Sequence, residues 1–336
     1  MKNFLVIDTA NLYHRCLHSG GNADIFTRAG LSIHIMMRSI ANLVYLHKID
    51  HVIFALEHRS WRKEVYPEYK ANREVKAMLK SPQEIEDAEY ATEVIDTFIE
   101  FLQTSTNCTV LQKERIEGDD WFGRISTTLG KDNKIYIVSG DTDFYSLITE
   151  NVIVYDGMND RYLTVNGIHD GNGNKYEFSI KSNSKLSVGK INNKFIPEPK
   201  WWERATFVKI IRGDAGDNIQ AAYPRVRMTK IDKAWEDMPT SGFEYTNFMN
   251  LEVENFLGKT TVMESFRFNK TLIDLREQPV EIIKIMDCEL EKQYKKPLVQ
   301  GVGFKVNKFF AKMDLKKLQE EADKHVAYLS KPFPFK

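Results

Sequence analysis

Cysteine is scarce in this chain. Three occur in 336 residues, Cys16, Cys108 and Cys288, odd in number and far apart. They form no metal-ligand pattern and fit a reducing compartment. Net charge is missing as well, since 47 Lys+Arg balance 47 Asp+Glu. That argues against a simple polybasic nucleic-acid binder, while leaving room for an acidic metal site that offsets a basic groove. No apolar run approaches membrane-spanning length. The start, Met1-Lys2-Asn3-Phe4-Leu5-Val6-Ile7-Asp8, reaches an acid before the apolar segment of a signal peptide could form. There are no internal repeats, and no G-x-G-x-x-G or Walker sequence, so dinucleotide and nucleoside-triphosphate readings lose their main support. The histidines (His14, His18, His34, His47, His51, His58, His169, His325) are scattered and read as surface or core residues rather than ligands. What remains is a chain long enough for one large domain or two, with a hydrophobic fraction of 42% that suffices for a sizeable core. A soluble, cytoplasmic protein with no membrane role is expected.

Carboxylates are what the chain does have, in two tight groups: Glu117, Asp119 and Asp120, then Asp141 and Asp143. Ile135, Ile137 and Val138 lead into the second group, so its acids fall just past a strand's carboxyl end, where open α/β sheets place their ligands. The first group precedes an amphipathic run (Trp121, Phe122, Ile125, Leu129) and belongs to a loop or first helical turn. Like charges this close repel one another unless a cation sits among them. Oxygen ligands without His or Cys suit Mg²⁺ or Mn²⁺. Two more predicted strands, Phe4 to Ile7 and Val52 to Leu56, end in Asp8 and Glu57. Asp8 alone reads equally well as a helix N-cap. Three strands that each deliver an acid make a site the better reading.

Arg59 to Arg73 interleaves cations with aromatics, among them Arg59, Arg62, Lys63, Tyr69, Lys70 and Arg73. In isolation such a stretch is a solvated charged helix. Beside an acidic cluster it suits phosphates and bases. Ser81-Pro82 opens a predicted helix to about Leu102, and the excursion from Arg59 to Thr104 returns to a strand at Thr109–Leu111. A helix over Leu31 to His47, a helix starting at Phe144 and a strand at Val152 to Tyr155 are also expected. Residues 156–199 are rich in Asn, Gly, Ser and Lys, with short alternating pieces (Tyr176 to Ile180, Lys185 to Val188) that predict hairpins or an insertion of no legible function. A helix from Trp201 to Ile211 delivers Gly213-Asp214-Ala215-Gly216-Asp217-Asn218, followed by Arg225, Arg227, Lys230 and Lys233 around a turn that can bind phosphate. From about Tyr245 the pattern is helical, ending in an amphipathic helix from Leu315 to Leu329 and a tail, Lys331 to Lys336, that cannot continue it.

In this order and spacing, Val6-Ile7-Asp8, Trp61-Arg62, Pro67-Glu68-Tyr69-Lys70-Ala71-Asn72-Arg73, Glu117-Gly118-Asp119-Asp120, Ser139-Gly140-Asp141-Thr142-Asp143-Phe144 and Gly213 to Asn218 resemble the 5′-nuclease superfamily. That superfamily holds flap endonucleases, the 5′-nuclease domains of bacterial DNA polymerases and phage 5′-exonucleases, and the chain looks most like its branch of T-even phage ribonucleases H. The resemblance covers residues 4 to about 235. It implies an α/β fold, with a mostly parallel central sheet, flanking helices and a helical arch, in a catalytic domain over 1–212. A helical DNA-binding domain with a helix–two-turn–helix would follow over 213–336.

The same resemblance implies two Mg²⁺ ions, replaceable by Mn²⁺. Asp8, Glu117, Asp119, Asp120 and Asp141 would surround one ion, while Asp143, Asp214 and Asp217 would serve the other, with Asp141 near both. Glu57 stands where relatives usually carry Asp, one methylene shorter. Lys70 and Arg73 match phosphate-contacting cations of the arch, Tyr69 matches an aromatic that stacks on a base, and Gly213 to Trp235 matches the duplex-holding motif. Ala221-Ala222-Tyr223-Pro224 replaces the Gly-Ile-Gly pattern of many relatives, which leaves a bound K⁺ open. The expected activity is a 5′-3′ exonuclease and flap endonuclease, of ribonuclease H type, that removes RNA primers and 5′ flaps from DNA and RNA–DNA duplexes during phage-type replication. It would leave 5′-phosphate and 3′-hydroxyl ends. A monomer is expected, with a single-strand DNA-binding protein and a sliding clamp as candidate partners. A catalytically weak junction-binding protein and a PIN-like ribonuclease are the alternatives. A haloacid-dehalogenase-type phosphatase would need an acid two residues after Asp8, where Ala10 stands.

Overall fold

Five short strands with almost wholly buried side chains lie side by side and parallel: β1 (Asn3–Asp8), β2 (His51–Ala55), β3 (Thr109–Leu111), β4 (Lys134–Val138) and β5 (Val152–Asp156). Runs such as Phe4-Leu5-Val6-Ile7 and Val52-Ile53-Phe54-Ala55 have no polar alternation because both sheet faces are covered. Four antiparallel strands extend the sheet: β6 (Arg161–Thr164), β7 (Gly167–Asp170), β8 (Lys175–Ile180) and β9 (Leu186–Ile191). These describe a computed structural model covering residues 1–21, 23–181, 186–255 and 258–334. The strand order is β3-β2-β1-β4-β5-β6-β7-β8-β9. The chain winds outward from β1 to β3 and then returns to place β4 on β1's other side. That reversal is a topological switch point, the crevice where such sheets hold ligands.

The helices are α1 (Thr9–Ser19), α2 (Ile25–Leu46), α3 (Arg62–Val65), α4 (Ala71–Met78), α5 (Pro82–Ser105), α6 (Gly118–Thr128), α7 (Trp201–Arg212), α8 (Met228–Asp237), α9 (Phe243–Met249), α10 (Val262–Ile273), α11 (Val280–Tyr294), α12 (Val302–Lys312), α13 (Lys316–Glu320) and α14 (Ala322–Leu329). One sheet face packs against α1, α2, α5, α12 and α14, with Leu5, Ile33, Met37, Phe54, Phe98 and Phe310 at its centre. The other packs against α6, α7 and α11, around Val6, Trp121, Ile137, Phe144 and Met286. A smaller core around Phe207, Val208, Ile231 and Phe248 joins α7 to α8 and α9. The helices beyond residue 275 lie in the two cores of the sheet, so the stretch after Arg212 is not a separate globule. Phe333 packs on Phe4 of β1 at 5.5 Å between ring centroids, and Lys331 Nζ donates to the Ile49 carbonyl at 2.7 Å.

Several boundaries differ from expectation. Helix α2 starts at Ile25, because the Asp24 carboxylate accepts the Thr27 N–H at 2.9 Å and caps it. Thus extended, α2 is the one helix among the described residues whose length and apolar content would suffice to cross a bilayer, contrary to the reading that no run approaches that length. Its Ile33, Met36, Met37 and Ile40 are wholly buried against the sheet, the pattern of a core helix. The turn after Asp141 is a 3₁₀ segment, Thr142–Leu147, rather than an α-helix. A hairpin of β10 (Glu252–Asn255) and β11 (Gly258–Thr261) interrupts the C-terminal helices, and the last predicted helix is broken at Glu321 into α13 and α14. The predicted α5 is present, with Ser81 and Glu84 forming a reciprocal capping box around Pro82. In the 156–199 insertion the expected hairpins are β6 to β9; Lys185, and Phe335 and Lys336 of the tail, lie outside the described residues.

Candidate metal centre and nucleic-acid face

At the switch point a cavity of about 620 Å³ opens over the carboxyl ends of β1 and β4. Asp8 ends β1, and both readings of it hold at once. One carboxylate oxygen accepts the Asn11 N–H at 3.1 Å and caps α1, while the other accepts from Ser139 Oγ at 3.0 Å and faces the cavity. Ser139 also accepts the Asp141 N–H at 3.1 Å, so one buried hydroxyl sets the spacing between the acids of β1 and of the β4 loop. Asp141 Oδ1 in turn accepts the Asp143 N–H at 3.1 Å.

The second wall comes from α6. Its first turn presents Asp119 to the cavity, and the Gly118 N–H donates to Glu57 Oε2 at 3.2 Å. A Cβ on Gly118 would sit 2.9 Å from Glu57 Oε1. Glycine there makes room for the longer acid, whose carboxylate meets the positive end of α6. The third wall is the turn after α7, where Asp214 and Ile219 form a small antiparallel bridge. Gly213 enters that turn at φ 70° with no space for a Cβ, which would meet the Ile219 carbonyl at 2.3 Å. The turn brings Asp214 and Asp217 to the same cavity.

Cations close the rim. Lys70, held at φ 57°, reaches Glu117, and Arg73 pairs with Asp217 at 2.5 Å. Lys209 of α7 donates to Asp143 and pairs with Asp214 at 2.9 Å. Burial alone would push Asp214 and Glu117 up. The ammonium of Lys209 for the first, and of Lys70 followed by the Arg62 guanidinium for the second, more than offset it and hold both below the usual carboxylate range. Asp119 goes the other way. Burial raises it well above that range, and the charges of Glu57, Asp8, Asp143 and Asp141 add to the effect. Asp141 is pushed up to about 7, by burial and then by Asp143.

Among the described residues no three acids are already gathered into a closed metal cage. The donor set nevertheless fits a hard divalent cation. It is all oxygen, and its inner members, Asp8, Asp119 and Asp141, are all held protonated more readily than isolated acids. A cation placed between them would relieve that strain. Asp8, Glu57, Asp119 and Asp141 line the inner wall, with Glu117, Asp143, Asp214 and Asp217 around them and already paired to lysine or arginine.

Three expected roles need correction. Asp120 is fully buried and away from the cavity; it accepts from Trp61 Nε1 at 3.2 Å and pairs with Arg62 at 2.9 Å, so it shapes the α6 terminus and does not face a metal. Arg62 is 1% exposed, tied to Glu117 at 3.0 Å, to Asp120 and to the Leu272 carbonyl at 2.8 Å. Buried among acids, it cannot reach nucleic acid. Tyr69 is 3% exposed, with its hydroxyl on Glu117 (3.1 Å) and Asp217 (3.0 Å) and the Arg62 and Lys70 cations over its ring, which leaves no face for a base to stack on. Lys63 is paired with Glu74. Arg59 is exposed, as are Arg225, Arg227 and Lys233 at the start of α8, while Lys230 lies 5.4 Å over the Tyr223 ring.

Sequence reasoning passed over Ser60, Lys209 and Arg15, and took Ser139 only as part of a motif. Ser60 Oγ donates to Glu117 at 2.7 Å. On α1, Arg15 carries a buried Nε and Nη1 with no hydrogen-bond partner, near Gly140 and Gly157. Of these only Lys209 and Arg15 had a legible signal, a lone cation one helix away from a motif acid.

An open α/β sheet whose switch point carries a crowd of oxygen ligands rimmed by cations has the donor chemistry that suits a divalent cation and a phosphate. The sequence profile of the 5′-3′ exonuclease N-terminal resolvase-like domain matches residues 3–173. Flap endonuclease Xni of Psychromonas ingrahamii is 24% identical over 179 residues, covering 52% of this chain and 63% of that protein. The Xni protein of Aeromonas hydrophila subsp. hydrophila is 31% identical over 172 residues, 48% of this chain and 58% of that one. The matched segments thus span about three fifths of these relatives' length. Among solved structures, the T5 D15 protein co-crystallised with metal ions superposes with a TM-score of 0.59 at 17% identity, over 87% of this chain and 100% of that one. The T5 D15 flap endonuclease in a pseudo-enzyme–product complex with DNA and metal ions gives the same score and identity, over 87% and 99%. At that identity the likeness concerns the fold. The chain belongs to the 5′-3′ exonuclease family, whose members are hydrolytic nucleases that cut phosphodiester bonds.

Proposed function

We propose that this protein is a divalent-metal-dependent 5′-3′ exonuclease and flap endonuclease that trims RNA primers and short 5′ flaps from duplex nucleic acid. The observation that carries the reading is the convergence of acids from β1, the β4 loop, α6 and the α7 turn on one cavity, with Lys70 and Arg73 from the α3–α4 region at its rim. Divalent cations of the Mg²⁺ type, held by Asp8, Glu57, Asp119 and Asp141 on the inner side and by Asp143, Asp214 and Asp217 on the outer, would supply Lewis-acid activation of water and stabilisation of the leaving oxygen. The chain's own residues bind and orient. Lys70 and Arg73 exchange their carboxylate partners for the non-bridging oxygens of the scissile phosphate, and an electrostatic contribution of this kind is worth on the order of 3 kcal/mol of barrier. The exposed cations at the start of α8 take the backbone of the duplex.

The test incubates wild type and Asp141→Asn with end-labelled 5′-flap and nicked RNA–DNA duplexes, in Mg²⁺ or EDTA. Mg²⁺-dependent 5′ products from wild type, lost in Asp141→Asn while duplex binding survives, are expected. Cleavage that persists in the variant, or in EDTA, would remove the cavity from the mechanism. Binding by wild type without cleavage would instead make this a junction-binding protein.

A further inference from the structure

We propose that the cavity walled by the strands of the 156–199 insertion is a nucleobase pocket, which takes one base flanking the scissile phosphate out of the stack; this rests on the nuclease reading. The cavity has a volume of about 400 Å³ and shares Asp141 and Thr142 with the larger acid cavity. Its size falls at the lower end of the ~300–1,000 Å³ of small-ligand sites, enough for one base and not for a base pair. A strand whose phosphate lies over the acids has a neighbouring base within reach of it.

The floor follows from strand register. Val154 of β5 pairs with Leu163 of β6, which pairs in turn with Ile168 of β7, so three aliphatic side chains lie in one row across the sheet. All three line the cavity, and so does Val188 of β9, the last strand of the sheet. The antiparallel extension therefore curls until its final strand faces β5. Two residues further along, Asp156 and Arg161 form the next pair on the same face, and both line the cavity. Tyr145, which shares a second small cavity with Asp143 and Lys209, adds an aromatic wall and packs on Trp202 at 5.1 Å between ring centroids.

The polar groups choose the base over the phosphate. Asp141 and Asp156 border the cavity and repel an anion. The Asp156 carboxylate is engaged by the Met158 N–H at 3.0 Å and by Asn159 Nδ2 at 2.6 Å, not by Arg161. The Arg161 guanidinium lies over the Tyr176 ring at 4.6 Å, and its Nε is buried with no acceptor. A buried donor left unpaired is costly, and the ring oxygens and nitrogens of a base supply acceptors. An aliphatic row, one aromatic wall and one waiting donor together suit a planar, neutral ring with polar edges.

The experiment places 2-aminopurine, dim when stacked and bright when withdrawn, at each position around the cut of a 5′-flap duplex in turn. Ca²⁺ replaces Mg²⁺, and cleavage is checked to be absent. A severalfold rise at one position flanking the cut is expected on binding wild type. Val188→Phe, which fills the cavity from a half-buried position, should remove the rise, and Arg161→Met should reduce it. In Mg²⁺, an abasic residue at that position should slow wild-type cleavage about tenfold, the loss of one stacked base. Val188→Phe should cut the abasic and the normal strand alike. Should that variant melt early, the lost abasic penalty is read in Arg161→Met instead. A rise at no position, or one that the variants keep, overturns the pocket while wild-type cleavage keeps the nuclease reading. If free 2-aminopurine deoxyriboside gains anisotropy on wild type and no strand position brightens, the cavity serves a free nucleoside and the substrate assignment falls. A wild type that neither cuts nor binds the duplex removes the nuclease reading itself, and this pocket's role with it.

Discussion

Asp119 bears the largest cost of the site's design. It is surrounded by four other acids, and burial and their charge both oppose its ionisation. Asp119→Asn removes that repulsion, so the metal-free variant should melt above wild type, by somewhat less than the roughly 2–4 °C per kcal/mol of domains of about 150–250 residues. Wild type should gain thermal stability on adding Mg²⁺, because a ligand that binds only the folded state stabilises it, and the variant should gain much less. Calorimetry with and without EDTA reads both effects. Equal Mg²⁺ increments in the two proteins would place the ion elsewhere. The sequence showed this residue because a carboxylate before an amphipathic run is a strong local signal. It did not show that Asp120, one position on, turns inward. Adjacent helical residues differ in direction by about 100°, and which one faces the cavity depends on Trp61 and Arg62, both from another element. Arg62 and Tyr69 were misread for the same reason: charge and aromaticity are visible in sequence, and burial by distant neighbours is not.

Helix α6 positions the acids through close contact with the chain after α10. At Gly123 a Cβ would come within 2.1 Å of the Leu275 carbonyl, a backbone atom that cannot swing away. Gly123→Ala should therefore cost on the order of 1–3 kcal/mol by overpacking. It should also lower Mg²⁺ affinity, because the helix that carries Asp119 must shift. A variant with wild-type stability and metal response would show that α6 has slack. The strands and α5 were legible from apolar runs and from the Ser81-Pro82 start. The β10–β11 hairpin was not, because Glu252-Val253-Glu254-Asn255 carries a single buried apolar residue and pairs only with its neighbour. The start of α2 was missed because its signal, Asp24 capping Thr27, sits seven residues before Leu31, where the apolar pattern begins.

For the molecule as a whole, the motifs suggested a boundary near Arg212, whereas the cores follow a different line. Sequence motifs mark chemistry, and the C-terminal helices carry none, so their place in the sheet's two cores left no trace beyond apolar periodicity. Ending the chain after Tyr294 would remove α12 to α14 and expose Phe98 and Phe101, on which Phe309 packs at 4.0 Å from the second. Such a chain should bind hydrophobic dyes and lose its near-ultraviolet dichroism. A truncated protein that keeps a cooperative melt would show that the sheet can close without its last helices.

The packing of Phe333 on Phe4 also bears on the order of events during synthesis. Phe4 leaves the ribosome well before Phe333, which lies 329 positions further along, so this side chain of β1 finds its neighbour late. Contacts of such long sequence separation are slow to form and leave apolar surface open in the meantime. Nascent chains arrested at successive lengths should therefore stay sensitive to protease until Phe333 has emerged, then become resistant together. A strand translated early is, in this protein, sealed late.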